Sequence, residues 1–320
     1  MTRRDTTILL LGSFNDYIVG RLEQEFRLRR IASGDVALLD PAWLHDVKGI
    51  ASMGRVDAAF IDALPNLEII GNFGVGYDAV DACHAGARGI MVTNTPDVLT
   101  EEVADTAIGL LIDTVRELSR AQAFLRAGEW EKARYPLSKL SLRGRKVGIF
   151  GLGRIGKAIA RRVEAFGLPV AYCNRRKADD VAYDYYPTLT ALAQAVDTLI
   201  LVAPGGAETS KVVNAEVLQA LGENGVLINI ARGSLVDEEA LVEALHKGTI
   251  AAAGLDVFDN EPHVRKALLE APNTVLLPHI GSASEKTRQA MADLVVDNLI
   301  AWFDRGVAIT PVPETGHVKK

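Results

Sequence analysis

The chain is poor in everything that marks a secreted, membrane-bound or nucleic-acid-binding protein. Only two of its 320 residues are cysteine, Cys83 and Cys173, too few for a disulfide framework and in keeping with reduced thiols in a cytoplasm. No run approaches the roughly 18 consecutive apolar residues of a membrane span. The run ILLL behind Arg3 and Arg4 is too short for a signal-peptide core and reads as a first β-strand. An excess of basic charge is also missing: 35 Lys and Arg stand against 41 Asp and Glu, a formal charge of −6. That argues against nucleic acid or an anionic membrane surface as partner, since both need a concentrated positive face, and the stretch LRGRK at 142–146 is too small to reverse it. The six histidines show no paired metal-ligand spacing and Cys83-His84 stands without companions, so no structural metal is expected.

What is present is apolar residue in quantity, 48% of the chain, enough for two domains. The first hundred residues alternate short apolar runs (TTILLLG, VALLD, GIAS, LEIIGNF, IMVTN) with helix-like stretches, the pattern of a parallel α/β sheet. A second, longer series runs through KVGIF, PVAYCN, TLILVAP, GVLINIAR, IAAAGLDVF and TVLLPHI, the pattern of a doubly wound nucleotide-binding domain. Between them a long helix is expected over EEVADTAIGLLIDTVRELSRAQAFL, opened by Thr100. Its apolar residues cover more than one stripe and need more cover than a single sheet gives. A homodimer contact is the expected cover, with an interdomain core helix as the alternative.

The most informative motif is GLGRIG at 151–156, set between the strand-like KVGIF and the helix-like KAIARRVEAFG. Gly151 allows the tight turn, Gly153 lets a pyrophosphate approach the backbone, and Gly156 lets helix and strand pack closely. With Leu152, Arg154 and Ile155 they form a cradle for a dinucleotide at a helix N-terminus. The following strand ends at Asn174, where an acid would hold a ribose 2′-hydroxyl; Arg175, Arg176 and Lys177 follow instead. Guanidinium groups suit a 2′-phosphate, so NADPH is expected over NADH, the competing reading being a solvated basic turn. Residues at the other strand ends complete the expected cofactor site: Val202, Ala203, Pro204, Thr209, Ile230, Ala231, Asp256 and Gly281.

A second glycine turn, GVGYDA from Gly74, lies too close to its next strand for a mononucleotide unit. Gly74, Val75 and Gly76 are instead candidate donors to a substrate carboxylate, or else form a structural turn. Met53 and Phe73, with Ser52, are candidate liners of the substrate site, and Trp130 or Tyr135 candidates to reach in from a partner subunit. Three further residues after strand ends suit reduction of a 2-keto acid: His279 as acid near neutral pH, Glu261 as its carboxylate partner, and Arg232 as a planar grip on carboxylate and carbonyl oxygen. Taken singly, each has a bland alternative in a helix cap, a loop charge or a surface ion pair.

Together, GLGRIG, NIARGSLVDEEAL from Asn229, GLDVF through Glu261, and LLPHIGSAS around His279 resemble the D-isomer-specific 2-hydroxyacid dehydrogenase family over nearly the whole chain. The resemblance implies two doubly wound parallel-sheet α/β domains with the active site in the cleft between them. One is a Rossmann coenzyme domain at 100–287; the other is a smaller, discontinuous, flavodoxin-like substrate domain at 1–99 and 288–320. It further implies that Arg232 binds substrate, that Glu261 and His279 form the acid–base pair, that the Val75–Gly76 backbone receives the carboxylate, that the enzyme is a dimer, and that the product has the D configuration. Within the family the motifs look most like NADPH-dependent glyoxylate/hydroxypyruvate reductases, with hydroxyphenylpyruvate reductases next. Formate dehydrogenases carry glutamine at the position of Glu261, and phosphoglycerate dehydrogenases usually an acid at that of Asn174. A different class, the dinucleotide-sensing corepressors, would want docking surface or tails that the sequence does not offer in recognisable form.

Overall fold

A computed structural model describes residues 3–320. They fall into two compact units, one running to Leu99 and resuming over Ser284–Lys320, the other spanning Thr100–Ala283.

The first unit is built on five parallel strands: β1 (Thr7–Leu11), β2 (Arg27–Ile31), β3 (Val47–Ser52), β4 (Ile69–Asn72) and β5 (Met91–Thr93), in the order β2-β1-β3-β4-β5. Its helices are α1 (Asp16–Glu25), α2 (Ala58–Asp62), α3 (Ala82–Ala87) and, from the chain's end, α11 (Glu285–Arg305). Strand β1, TILLL, is buried at every position, as expected when both faces of a parallel sheet are covered. One face packs Trp43, Phe60 and Leu64; the other packs Ile18 and Leu22 of α1 with Val295, Leu299 and Trp302 of α11. The order reverses between β1 and β3, so the carboxyl ends of these two strands border the crevice where such sheets bind ligands, with that of β4 next to them. Two elements differ from the sequence reading. VALLD is not a strand: Asp35 and Asp40 each accept an N–H two residues on, at 2.9 Å, and fold the segment into two short 3-10 turns. RLRRI, in contrast, is strand β2, whose arginines suit a sheet edge where charge blocks pairing with another chain.

The second unit carries seven parallel strands: β6 (Val147–Phe150), β7 (Val170–Cys173), β8 (Asp184–Tyr186), β9 (Thr198–Leu201), β10 (Val226–Asn229), β11 (Ala252–Leu255) and β12 (Thr274–Leu276). Their order is β12-β11-β10-β9-β6-β7-β8, the doubly wound plan with its switch point between β6 and β9. Helices α4 (Thr100–Arg116), α5 (Leu118–Arg126), α6 (Arg154–Ala165), α7 (Leu189–Ala195), α8 (Ala215–Leu221), α9 (Glu238–Lys247) and α10 (Lys266–Leu269) complete it. The single long helix expected after Thr100 is two helices. Glu117 breaks it in the left-handed region at φ 56°, and the Asp113 carboxylate accepts the Ser119 N–H at 2.8 Å to start α5. Helix α4 needs no second copy for cover. It lies between α6 and strands β10–β12 of its own unit, burying Ala104, Ala107, Leu110, Leu111 and Val115. Gly254 allows that approach, since a Cβ there would stand 2.9 Å from Leu110 Cγ.

Candidate active site

The glycine turn after β6 has the steric surroundings that a tight turn and close packing require. Gly151 sits at φ 101°, and a Cβ on it would lie 2.6 Å from the Ala203 nitrogen, so the turn lies tightly against the chain leaving β9. A Cβ on Gly156 would strike the Gly151 carbonyl oxygen, whereas one on Gly153 would meet nothing within 4 Å. Gly153 is also the N-cap of α6 and supplies no side-chain cap. The first turn of a helix leaves its N–H groups without intrahelical partners. The turn is therefore open at Gly153, next to those N–H groups. The Asn174 amide oxygen accepts the Leu152 N–H at 2.7 Å, tying the end of β7 to the turn. Arg175, Arg176 and Lys177 stand exposed beyond it, with Arg175 within 3.8 Å of Glu208. Across the switch point, Val202 donates to the Phe150 carbonyl at 2.8 Å and the Thr209 hydroxyl to that of Pro204 at 2.8 Å. Ile230 and Ala231 are buried where the chain leaves β10.

The predicted acid, base and arginine come from loops at the carboxyl ends of three adjacent strands, β10 to β12. Asn229, closing β10, accepts the Ala231 N–H at 3.1 Å and donates to the Arg232 carbonyl at 2.8 Å, which fixes the backbone that carries the guanidinium. Glu261 lies beyond β11. Its Oε1 accepts the Phe258 N–H at 2.9 Å and its Oε2 lies 2.7 Å from His279 Nδ1. Removal from water pushes the Glu261 carboxyl up, but the bonds from His279 and Phe258, with the charges of His279 and Arg232, outweigh it and hold it below the usual carboxylate range. The Glu261 loop is braced from below. Gly233 lies so close to Phe258 that a Cβ would strike the Phe258 carbonyl carbon, and buried Glu238 accepts the Asp259 N–H at 2.9 Å.

His279 follows β12 with its backbone in the left-handed region, at φ 52°, a conformation that costs a non-glycine residue of order 1–3 kcal/mol and needs support. Asp256 gives that support. It is 1% exposed; its carbonyl accepts the His279 N–H at 2.9 Å, and its two carboxylate oxygens accept the Ile280 and Gly281 N–H groups at 2.7 and 2.8 Å. Burial pushes the Asp256 carboxyl above its usual range against the pull of those amides. Its geometry makes it a clamp on the chain around His279.

In the first unit the turn after β4 is built with equal care. Asn72 Nδ2 donates to the carbonyls of Gly74 and Gly76, both at 3.1 Å; Asn94 Nδ2 donates to that of Val75 at 2.8 Å; and the Thr95 N–H reaches Gly74 at 3.0 Å. Every carbonyl of the turn is held, while the Val75 and Gly76 N–H groups have no acceptor among the described residues. Met53 is 44% exposed, and Phe73 meets Phe14 edge-on at 5.8 Å with the Arg288 guanidinium over its ring. Ser52 is fully buried, its hydroxyl spent on its own turn to Gly54 at 2.9 Å, so it lines no site. Tyr135 donates to Glu117 at 3.1 Å, and Trp130 is 66% exposed. Sequence reasoning missed Asn72, Asn94, Asn229 and Glu238. Asn72 and Asn229 carry one advance signal, a polar side chain set among apolar neighbours beside a motif, whereas Asn94 between threonines and Glu238 between acids carry none.

The family described as D-isomer specific 2-hydroxyacid dehydrogenase, NAD binding domain, matches residues 108–281. The chain is 45% identical over 309 residues to the glyoxylate/hydroxypyruvate reductase A HPR2 of Arabidopsis thaliana, covering 95% of this chain and 98% of that protein. It is 44% identical over 309 residues to the hydroxyphenylpyruvate reductase of Plectranthus scutellarioides, with the same coverage. Among solved structures, it is similar to the NADPH-dependent glyoxylate/hydroxypyruvate reductase SmGhrB of Sinorhizobium meliloti in complex with NADP and malonate, at 58% identity, a TM-score of 0.96 and 99% coverage of both chains.

Proposed function

The chain belongs to the D-isomer-specific 2-hydroxyacid dehydrogenase family, and on that premise we propose that it reduces small 2-keto acids, glyoxylate and hydroxypyruvate foremost, to D-2-hydroxy acids with NADPH. The observation that carries this reading is the pair formed by Glu261 and His279 at 2.7 Å, with Arg232 close enough for its charge to act on the carboxylate. NADPH, when bound, supplies the hydride. The glycine turn and the first turn of α6 would hold its pyrophosphate, and Arg175 with Arg176 its 2′-phosphate.

The remaining chemistry belongs to the chain. Arg232 orients the keto acid through its planar fork. Nδ1 of His279 is engaged by Glu261, which leaves Nε2 to give a proton to the carbonyl oxygen as charge grows there, assistance worth roughly 10²–10⁴ in rate. Glu261 fixes the ring through that contact. The held turn at Gly74–Gly76 is the proposed receiver of the substrate carboxylate.

A homodimer is part of the same reading. Support comes from α5 and the segment after it: α5 buries none of its residues, and Leu118, Leu125, Trp130 and Leu137 are 50%, 55%, 66% and 94% exposed. A cytoplasmic location is proposed on the two unpaired thiols, Cys83 and Cys173. No helix of the described residues is long and apolar enough to cross a membrane.

Following NADPH oxidation with glyoxylate, hydroxypyruvate, hydroxyphenylpyruvate and 2-ketogluconate tests the activity. Fastest turnover with hydroxyphenylpyruvate would favour the second reading, suggested by the Plectranthus relative. No turnover with any 2-keto acid would leave only a dinucleotide sensor. His279→Ala should lower turnover about 10²–10⁴-fold while NADP⁺ still binds; a fully active variant would remove His279 from the mechanism.

A further inference from the structure

The basic turn beyond β7 is held from inside the protein. Tyr172 on β7 and Tyr185 on β8 are register partners, with ring centroids 5.4 Å apart. The Ala178 N–H donates to the Tyr172 hydroxyl at 2.9 Å, and the Tyr185 hydroxyl donates to the Asn174 carbonyl at 3.3 Å. One phenol thus takes each end of the loop 174–178, and Asn174 links that loop to the glycine turn through Leu152. Tyr172 is fully buried. A phenol withdrawn from water needs a partner for its hydroxyl, and here the partner is the loop backbone. Beyond the loop, Lys157 of α6 pairs with Asp180.

We propose that Tyr172 and Tyr185 are positioning residues for cofactor choice, setting the loop so that Arg175 and Arg176 converge on the 2′-phosphate of NADPH. The inference rests on the reading of that loop given above. NADPH and NADH differ only in the phosphate the loop would meet. A loop left free must be ordered at the moment of binding, and a preset one need not be. Loosening it should therefore weaken one cofactor and spare the other. A tyrosine that merely supports the nucleotide fold would affect both alike.

Calorimetric titration of NADP⁺ and of NAD⁺ into the purified chain, with Tyr172→Phe, Tyr185→Phe, the double variant and Arg175→Ala/Arg176→Ala, tests this. Each tyrosine variant should weaken NADP⁺ about 3- to 10-fold, the range of one lost hydrogen bond. NAD⁺ affinity should stay within about twofold, and the Ala178 amide should exchange its hydrogen faster in Tyr172→Phe. If Tyr172→Phe does not fold, Tyr185→Phe at the sheet edge decides alone. Equal losses for both nucleotides would overturn the proposal, as would unchanged NADP⁺ affinity in the tyrosine variants while the arginine pair abolishes the preference. If the arginine pair keeps its preference for NADP⁺, the basic loop is not the 2′-phosphate site, and that separate result overturns both.

Discussion

At the scale of single residues, amides and carboxylates hold the backbone around the groups proposed to do the chemistry. Asn72 ties two carbonyls of the turn proposed to receive the substrate carboxylate. Asn72→Ala should raise KM for glyoxylate several-fold to about tenfold, with kcat within about twofold; steady-state kinetics at saturating NADPH measures it, and an unchanged KM would detach the turn from substrate binding. For Glu261 the sign of the pH effect follows from its lowered carboxyl. A carboxylate whose folded value lies below its unfolded one contributes stability that is fully present above the unfolded value, and loses it as pH falls through the folded one. Glu261 should therefore stay ionised below about pH 4.3, the ordinary glutamate value. Rates read immediately after a pH jump, before unfolding, should place the acid limb of reduction below that point. A limb above it would mean that His279 and Arg232 do not govern this carboxylate.

Among the structural elements, the glycine turn separates folding from binding. Gly151 combines φ 101° with a Cβ position 2.6 Å from the Ala203 nitrogen. Gly151→Ala should destabilise the protein by about 2–4 kcal/mol, seen as a lower unfolding midpoint in urea. Gly153 has open space around it, so Gly153→Ala should melt near the wild type and still bind NADP⁺ more weakly, by roughly tenfold or more where a methyl displaces a phosphate from helix N–H groups. If the two variants behaved alike, the division of labour within the motif would be wrong. The same scale explains the α4–α5 break. The Asp113 side chain and the left-handed Glu117 redirect the chain, and the apolar face of α5 stays exposed instead of joining the buried face of α4.

On the scale of the whole molecule, that exposed face sets the expected assembly. Leu118, Leu125, Trp130 and Leu137 place large apolar side chains in water along one stretch of chain, and exposed apolar patches of this kind mark association surfaces. Light scattering after size exclusion should give twice the 34.4 kDa of one chain. Leu125→Asp with Trp130→Ala should give the single mass with secondary structure retained. A monomeric wild type would show that the face serves something else.

Much of this was legible in the sequence because it depends on local rules. Glycine spacing between an apolar run and a helix defines the cradle, alternating runs define parallel sheets, and Arg232, Glu261 and His279 stand out as charged or titratable residues past the ends of apolar runs. The reading failed where a short-range preference lost to its surroundings. VALLD was apolar enough for a strand until Asp35 and Asp40 capped it into turns. RLRRI offers no apolar run, and it is a strand because the sheet edge gives its arginines water. DYY hid strand β8 because three residues carry no period. Only the folded chain could bring Glu261 to His279, or place Asp256 under the amides of Ile280 and Gly281 and Tyr172 under that of Ala178. The contacts of Glu261 and Asp256 join loops on neighbouring strands 18 to 25 residues apart, and their geometry exists only once the sheets have set the strand order.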